Sequence, residues 1–267
     1  VTDKKALILG YGRAGKRHAA LAKSMGLDVY IADPDCIESV TVDGYKNHYF
    51  YPSSFDLVVI CTPPDLHLAH IEDWLSVGVP AILCEKPLCG IGQLEHAKSL
   101  PPDAPVMVAY NYRYHHELAH RVAGVHSFDM YFEQQRADMP EWGLLLDHAS
   151  HDLDIARMIT DHELKIVSAK ETIEDAGQRL TWIIKTCLGD ITETVTDSDI
   201  NRIARIFHPR PKENIFLESI IVDPDPMMFI SMWQAFLAGD HYPDLAEAIK
   251  TQELIEQCYR LNKEHEE

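Results

Sequence analysis

The six cysteines, Cys36, Cys61, Cys84, Cys89, Cys187 and Cys258, include no CxxC pair, and the chain has neither an internal repeat nor a low-complexity segment. Thiols without that spacing offer no frame for a structural zinc or a dithiol redox centre. Those lying in apolar runs read instead as small hydrophobes in a reducing, cytoplasmic setting. No stretch approaches the roughly 18 apolar residues of a membrane-spanning helix. The opening VTDKKALILG enters a strand with no charged leader, so the protein reads as soluble and unexported. Positive charge is scarce as well. Lys and Arg total 24 against 42 Asp and Glu, a formal net charge of -18, which repels nucleic-acid backbones and anionic membrane surfaces. A small anionic ligand can still bind through helix N-termini and a few local cations.

What is present is ordinary globular material. With 267 residues, 46% hydrophobic and 25% charged, the chain has the size and composition for two domains. Apolar runs at Ala6 to Leu9, Asp28 to Ala32, Leu57 to Ile60, Ala81 to Cys84 and Val106 to Tyr110 read as strands. Helical spacing fills Gly12 to Met25, Leu66 to Val77 and Gly92 to Leu100. Strands alternating with helices predict a doubly wound parallel sheet over residues 1–120. The segment Pro34 to Asp56 is poorly patterned and yields no strand. The pattern changes in residues 121–267. Strands are expected at His126 to Gln135, Lys165 to Ile173, Arg179 to Cys187, Ile191 to Val195 and Ile215 to Val222, with no helix between most of them, which favours an antiparallel sheet. Helices are expected at Leu144 to Ile159, Pro226 to Leu237 and Leu245 to Asn262, the final ones able to pack back on either domain.

Gly10-Tyr11-Gly12-Arg13-Ala14-Gly15 follows the first strand and opens the first helix, the context that a Gly-x-Gly-x-x-Gly fingerprint requires. Gly10 permits the tight turn, Gly12 the approach of a pyrophosphate to the backbone, and Gly15 close packing of helix on strand. Asp33 ends the second strand about 20 residues on, where a carboxylate accepts ribose hydroxyls and repels a 2'-phosphate. NAD is therefore favoured over NADP, although Asp33 also suits a plain turn at Asp33-Pro34. Cys61-Thr62-Pro63-Pro64 forms a rigid loop after its strand, either structural or lining a cofactor. The following Asp65 suits a helix N-cap. Glu85-Lys86-Pro87 closes another strand. Proline has no N-H to donate, so pairing stops and Lys86 is presented at the sheet's carboxyl edge, where open α/β sheets bind ligands.

Asp147 and His151 are four apart in a helical stretch and so share a face, suited to proton transfer or simply to solvent. Asp147, His148 and His151 also read as a metal set, but no further ligand has characteristic spacing, and no metal is expected.

Together GYGRAGKRHAA, CTPPDLHL, EKPL, YNYRY and GLLLDHASHDLDIARMI resemble, in order and rough spacing, the Gfo/Idh/MocA family of sugar and cyclitol oxidoreductases. The resemblance implies a Rossmann domain followed by a mainly antiparallel, open-faced sheet that often forms a homo-oligomer interface. It also implies NAD(P)-dependent hydride transfer to or from a carbinol carbon of a sugar, sugar nucleotide or cyclitol. By that likeness Lys86 orients nicotinamide and substrate, Asp147 binds substrate, and His151 donates or accepts the proton. Asn111 and Arg113 line the substrate site, while His67 and Glu85 lie near the cofactor. Ala149 departs from the family's usual glycine. Two alternatives stay open: reduction of a C=C or C=N bond on the same scaffold, and NAD-dependent regulation without turnover.

Overall fold

The computed structural model describes residues 4–36, 41–42, 45–47, 54–116, 118, 125–135, 143–159, 163–174, 179–196, 204–211, 220–222 and 225–266. The chain divides into two compact units, Val1–Ala109 with Ile230–Ile249, and Tyr110–Phe229 with Lys250–Glu267. The first division falls at residue 109, not 120, and a C-terminal segment belongs to the first unit.

The first unit is a Rossmann sheet. Its strands are β1 (Lys5–Leu9), β2 (Asp28–Ala32), β3 (Thr41–Val42), β4 (Tyr45–Asn47), β5 (Leu57–Ile60), β6 (Ile82–Cys84) and β7 (Val106–Val108), ordered β3-β4-β2-β1-β5-β6-β7. All neighbours are parallel except β3 and β4. Thus the poorly patterned stretch after Asp33 does contribute strands. They are too short to show a two-residue period. The central strands are covered on both faces, so they read as unbroken apolar runs: Val58, Val59 and Ile60 are 0% exposed.

Helix α1 (Arg13–Ser24) buries Gly15, His18, Ala19 and Ala22, one face at helical spacing. It ends where Gly26 takes φ +84 and Leu27 N-H donates to the Ala22 carbonyl at 3.1 Å, a glycine-capped terminus. Helices α2 (His67–Ser76) and α3 (Leu94–Ser99) complete the alternation. Edge strand β7 does not stay bare. Val108 N-H donates to the Pro243 carbonyl at 3.0 Å, and Met107 bridges Asp244, which blunts an edge otherwise open to another chain.

The second unit carries β8 (Val125–Gln135), β9 (Ile166–Glu174), β10 (Arg179–Thr186), β11 (Gly189–Thr196), β12 (Ala204–Pro211) and β13 (Ile220–Val222), in the order β13-β12-β8-β11-β10-β9. Only β8 and β11 run parallel, so this sheet is mainly antiparallel, as expected. Trp182 and Ile184 are 3% and 0% exposed while Ile183 between them is 39% exposed, the alternation of a sheet covered on one face. Strand β12 has no counterpart in the sequence reading, because Pro209 and Pro211 argue against a strand. It pairs with β8 nonetheless, and its register slips at Arg210/Pro211. Of the strand expected from Ile215, residues 215–219 lie outside the described residues.

The helix expected over Leu144 to Ile159 is a π-helical turn at Leu145–Ala149 followed by α4 (Ser150–Ile159). A π-turn carries i→i+5 bonds, so the shared-face argument for residues four apart does not hold across it. Helix α4 is held by a buried ion pair. Arg113 donates Nε to Asp154 Oδ2 at 2.8 Å and Nη2 to Oδ1 at 2.7 Å, with side chains 3% and 1% exposed. Thr251 Oγ1 donates to Asp154 Oδ1 at 2.9 Å and accepts from Arg157 Nη1 at 2.8 Å. The remaining helices are α5 (Pro226–Leu237) and α6 (Leu245–Glu266). Removing one member of a buried pair strands the other charge, so Asp154→Asn should lower unfolding free energy by about 3–5 kcal/mol, read as a shift in the urea midpoint. A change below about 0.5 kcal/mol, the usual range for surface substitutions, would show that the pair does not hold α4.

Candidate functional site

The turn after β1 is shaped by what its glycines exclude. Gly10 has φ +83, and a Cβ there would lie 2.7 Å from the Cys61 carbonyl oxygen. A Cβ on Gly15 would run into the Gly10 carbonyl oxygen, whereas one on Gly12 would have no protein atom within 4 Å. The sequence therefore brings β1, α1 and β5 into backbone contact and leaves room only at Gly12, the position through which a pyrophosphate approaches. Gly12 caps α1 without a side-chain bond, and the first turn, with Arg13 and Ala14, holds no acidic residue. Such a terminus favours an anion.

Asp33 follows β2. Its Oδ2 accepts the Tyr11 N-H at 2.6 Å and its Oδ1 the Asp35 N-H at 2.9 Å. The turn reading of Asp33 is therefore seen in the geometry. The carboxylate shapes its own turn, ties that turn to the glycine turn, and keeps about two of its four acceptor sites. The residues present fit a dinucleotide.

The loops after β5 and β6 come next. Cys61 N-H donates to the Leu9 carbonyl at 2.7 Å. Burial first, then the nearby Glu85 charge, pushes the Cys61 thiol well above its ordinary range, so it stays protonated and is no nucleophile. The Thr62 hydroxyl is buried without a hydrogen-bond partner. Pro63 and Pro64 lead into a short 3-10 turn, Pro64–Leu66, and α2 begins with no side-chain cap. Asp65 is thus not the helix cap expected. Its carboxylate abuts Gly90, and its carbonyl accepts from Gln93 Nε2 at 3.0 Å. His67, 1% exposed, places Nε2 2.8 Å from the Thr62 carbonyl and Nδ1 2.9 Å from the Pro87 carbonyl. Burial pulls its pKa down against the pull of those two carbonyls. The ring lies between the β5 loop and the loop that carries Lys86, within reach of a carbonyl on each.

Pairing in β6 ends one residue earlier than proline demands. Glu85 N-H still donates to the Ile60 carbonyl at 2.8 Å, but Lys86 N-H turns to Glu85 Oε2 at 3.1 Å. The peptide Lys86-Pro87 is cis. Glu85 Oε1 lies 3.0 Å from His18 Nε2, and His18 Nδ1 lies 2.9 Å from Trp233 Nε1. Burial alone would raise the Glu85 pKa, yet the His18 side chain first, then the charges of Lys86 and Arg17, outweigh it and hold the carboxyl down at about 2. Neither His18 nor Trp233 was singled out by the sequence. The available signal was a histidine on the small-residue face of α1, between Gly15 and Ala19.

Lys86 belongs to the first unit; Asn111, Arg113, Asp147 and His151 belong to the second. Within the second, Asn111 is 3% exposed in the 3-10 turn Asn111–Tyr114. That turn's Arg113 is engaged by Asp154. Asp147 lies in the π-turn, its side chain 31% exposed, with Oδ2 3.6 Å from His148 Nε2. His151, on the first turn of α4, packs edge-on against Tyr112 with ring centroids 5.1 Å apart and faces Tyr110 at 6.5 Å. The structure thus joins His151 to the Tyr110–Arg113 segment. Among the described residues no helix is long and apolar enough to cross a membrane, and no group of three or more metal-ligating side chains forms.

A parallel sheet with a glycine turn, an open anion-accepting helix terminus and an acidic residue after β2 defines a Rossmann-type fold. Residues 4–112 match the oxidoreductase family, NAD-binding Rossmann fold, designated GFO_IDH_MocA. It is 29% identical over 220 residues to the inositol 2-dehydrogenase of Rhizobium meliloti (strain 1021). That match takes in 68% of this chain and 65% of the relative's length. In fold it is similar to a putative myo-inositol dehydrogenase from Sinorhizobium meliloti 1021, with TM-score 0.72, 20% identity and 98% of each chain covered. It is also similar to scyllo-inositol dehydrogenase from Lactobacillus casei with bound NAD(H) and scyllo-inositol, with TM-score 0.71, 16% identity, and 99% of this chain and 98% of that one covered.

A carboxylate held at about 2 in the fold, against about 4.3 when unfolded, has a depressed folded pKa. Its stabilisation is present above the unfolded value and lost as pH falls through the folded one. Acidification from about pH 4.3 to 2 should remove on the order of 3 kcal/mol through this group. The check is chemical unfolding across that window, in which Glu85→Gln should flatten the slope relative to the unsubstituted protein. Identical slopes would mean that Glu85 is not the linked group.

Proposed function

We propose that this protein is an NAD-dependent dehydrogenase acting on a CH-OH group of a polyhydroxylated small molecule, such as a cyclitol, sugar or sugar nucleotide. The observation that carries the reading is the presentation of Lys86 by a tightly bonded loop, on the sheet whose glycine turn and Asp33 are built for a dinucleotide. The inositol dehydrogenase relative supports the class of substrate. Gly10 to Gly15 and the α1 terminus hold the pyrophosphate, and Asp33 takes the ribose hydroxyls. That carboxylate disfavours a 2'-phosphate, hence NAD over NADP. The Cys61-Thr62-Pro63-Pro64 loop lines the cofactor, and His67 and Glu85 hold the loops around it.

NAD, when bound, supplies the hydride acceptor or donor. Lys86 stabilises negative charge on the substrate oxygen, His151 takes or returns the hydroxyl proton, and Asp147 with Asn111 binds substrate hydroxyls. Arg113 contributes through Asp154 by fixing the 3-10 turn that carries Asn111. The second unit, Tyr110–Phe229 with Lys250–Glu267, serves as the substrate domain, and its sheet forms a homo-oligomer. A strictly monomeric protein by light scattering would remove that last assignment. Cysteines that form no CxxC pair and lie in part in apolar runs suit a reducing cytoplasmic compartment.

Lys86→Ala should lower kcat about 100-fold or more, the scale of a lost charge-stabilising donor, with NAD affinity nearly unchanged. His151→Asn should lower kcat about 100-fold and abolish the rate's pH dependence near neutrality. Both are read by absorbance of reduced nicotinamide over a panel of cyclitols, sugars and sugar nucleotides. Unaltered turnover in both variants would sink the assignment, and silence with every substrate despite NAD binding would favour a regulatory role. Gly12→Ala should leave the urea midpoint within about 1 kcal/mol, because its Cβ meets no protein atom within 4 Å. It should nevertheless weaken NAD binding by about tenfold or more through lost backbone approach.

A further inference from the structure

His18 is 0% exposed, Trp233 is 0% exposed, and both are polar partners in a face that apolar side chains would otherwise fill. An indole has one N-H and no acceptor. At 2.9 Å from Trp233 Nε1, His18 Nδ1 must therefore accept, which places the ring's proton on Nε2. That proton points at Glu85 Oε1, 3.0 Å away, so Nε2 donates to the carboxylate. Glu85's other oxygen, Oε2, takes the Lys86 N-H at 3.1 Å. The direction of every bond is thereby fixed, running from α5 through α1 to the end of β6. On the far side of Lys86, the Pro87 carbonyl lies 2.9 Å from the His67 ring.

We propose that Trp233 and His18 are positioning residues for Lys86: Trp233 fixes the His18 tautomer, and His18 in that tautomer fixes the Glu85 carboxylate that holds the Lys86 amide. This rests on the role given to Lys86 above. A core built for packing alone has no need of these groups, because an indole N-H, an imidazole and a carboxylate each carry a desolvation penalty. Fully bonded, they trade that penalty for one defined geometry, and displacement of a reacting group by about 1 Å lowers turnover by about 100-fold. Beside His18, Arg17 and Lys86 also act on Glu85, and both favour its anion. The chain of bonds sets where that anion points.

Three variants separate the roles. His18→Leu removes both bonds. His18→Gln offers Oε1 to the indole and Nε2-H to Glu85. Trp233→Phe releases the tautomer while keeping an aromatic core side chain. Two measurements need no substrate: the midpoint of the Glu85 side-chain carboxyl by carbon-13 NMR, and hydrogen exchange of the Lys86 amide. In His18→Leu the midpoint should rise by about one pH unit or more, and exchange at Lys86 should quicken about tenfold or more. His18→Gln should restore both, and Trp233→Phe should fall between. In turnover, His18→Leu should lower kcat about 10- to 100-fold with NAD affinity within a few-fold, a split that general loosening of the fold would not produce. Should His18→Leu fail to fold, Trp233→Phe against His18→Gln gives the same comparison. An unmoved Glu85 midpoint and unmoved Lys86 exchange in the folded variants would overturn the relay, whatever the activity. Shifted NMR readings with turnover unchanged would overturn the positioning role. If the parent protein turns over no substrate, the dehydrogenase reading fails by itself, and the two substrate-free readings still decide the relay.

Discussion

A carboxylate withdrawn from water must be hydrogen-bonded on both oxygens or it takes up a proton, and Glu85 meets that requirement with one distant group and one adjoining one. His18 comes from the first helix, Lys86 N-H from the adjoining residue, and Trp233 stands behind His18 from a helix more than two hundred residues on. Much of the first unit is arranged around this point. Helix α1 can lie close enough to the sheet to deliver His18 because Gly15 has no side chain to hold it off the Gly10 carbonyl. The segment around Trp233 is secured in turn by Pro243 and Asp244 along β7. The glycines that make a phosphate turn and the polar chain that holds Lys86 thus depend on the same close approach of helix to strand.

The second unit solves a comparable problem with a full ion pair. Arg113 and Asp154 neutralise each other in the interior, and Thr251 and Arg157 occupy neighbouring positions around the carboxylate. The pair anchors the Asn111–Tyr114 turn to the helix on which His151 packs against Tyr112. An arginine in a sequence motif is easily read as a ligand for substrate. Here its fork-shaped head is matched to a carboxylate of the protein itself, the geometry at which arginine excels.

Much of the first unit was legible because parallel strands buried on both faces leave plain apolar runs. Asp28 to Ala32 and Leu57 to Ile60 appear with the expected bounds. Legibility failed where the physical signal is weak or ambiguous. Strands of two or three residues, as at Thr41–Val42 and Tyr45–Asn47, show no period. Prolines in Ala204–Pro211 argue against a strand that the neighbouring β8 nevertheless pairs. A π-turn differs from an α-turn by one bond, so Leu145–Ala149 has the same apolar spacing in either form. Asp65, an acceptable helix cap by residue type, instead sets its carboxylate against Gly90 of another loop.

The sequence by itself determined the order of strands and helices in the first unit, the glycine turn with its acidic partner Asp33, and the placement of Lys86 next to a strand-ending proline. Each of these follows from short-range rules: backbone freedom at glycine, the missing N-H of proline, and the burial of apolar residues at a fixed period. Only the tertiary structure decided which polar side chains would be spent on the protein itself. That Glu85 answers to His18 and Trp233, and Arg113 to Asp154, depends on residues far apart in the chain meeting in an interior where no water is available to satisfy them, and no local pattern records such a meeting.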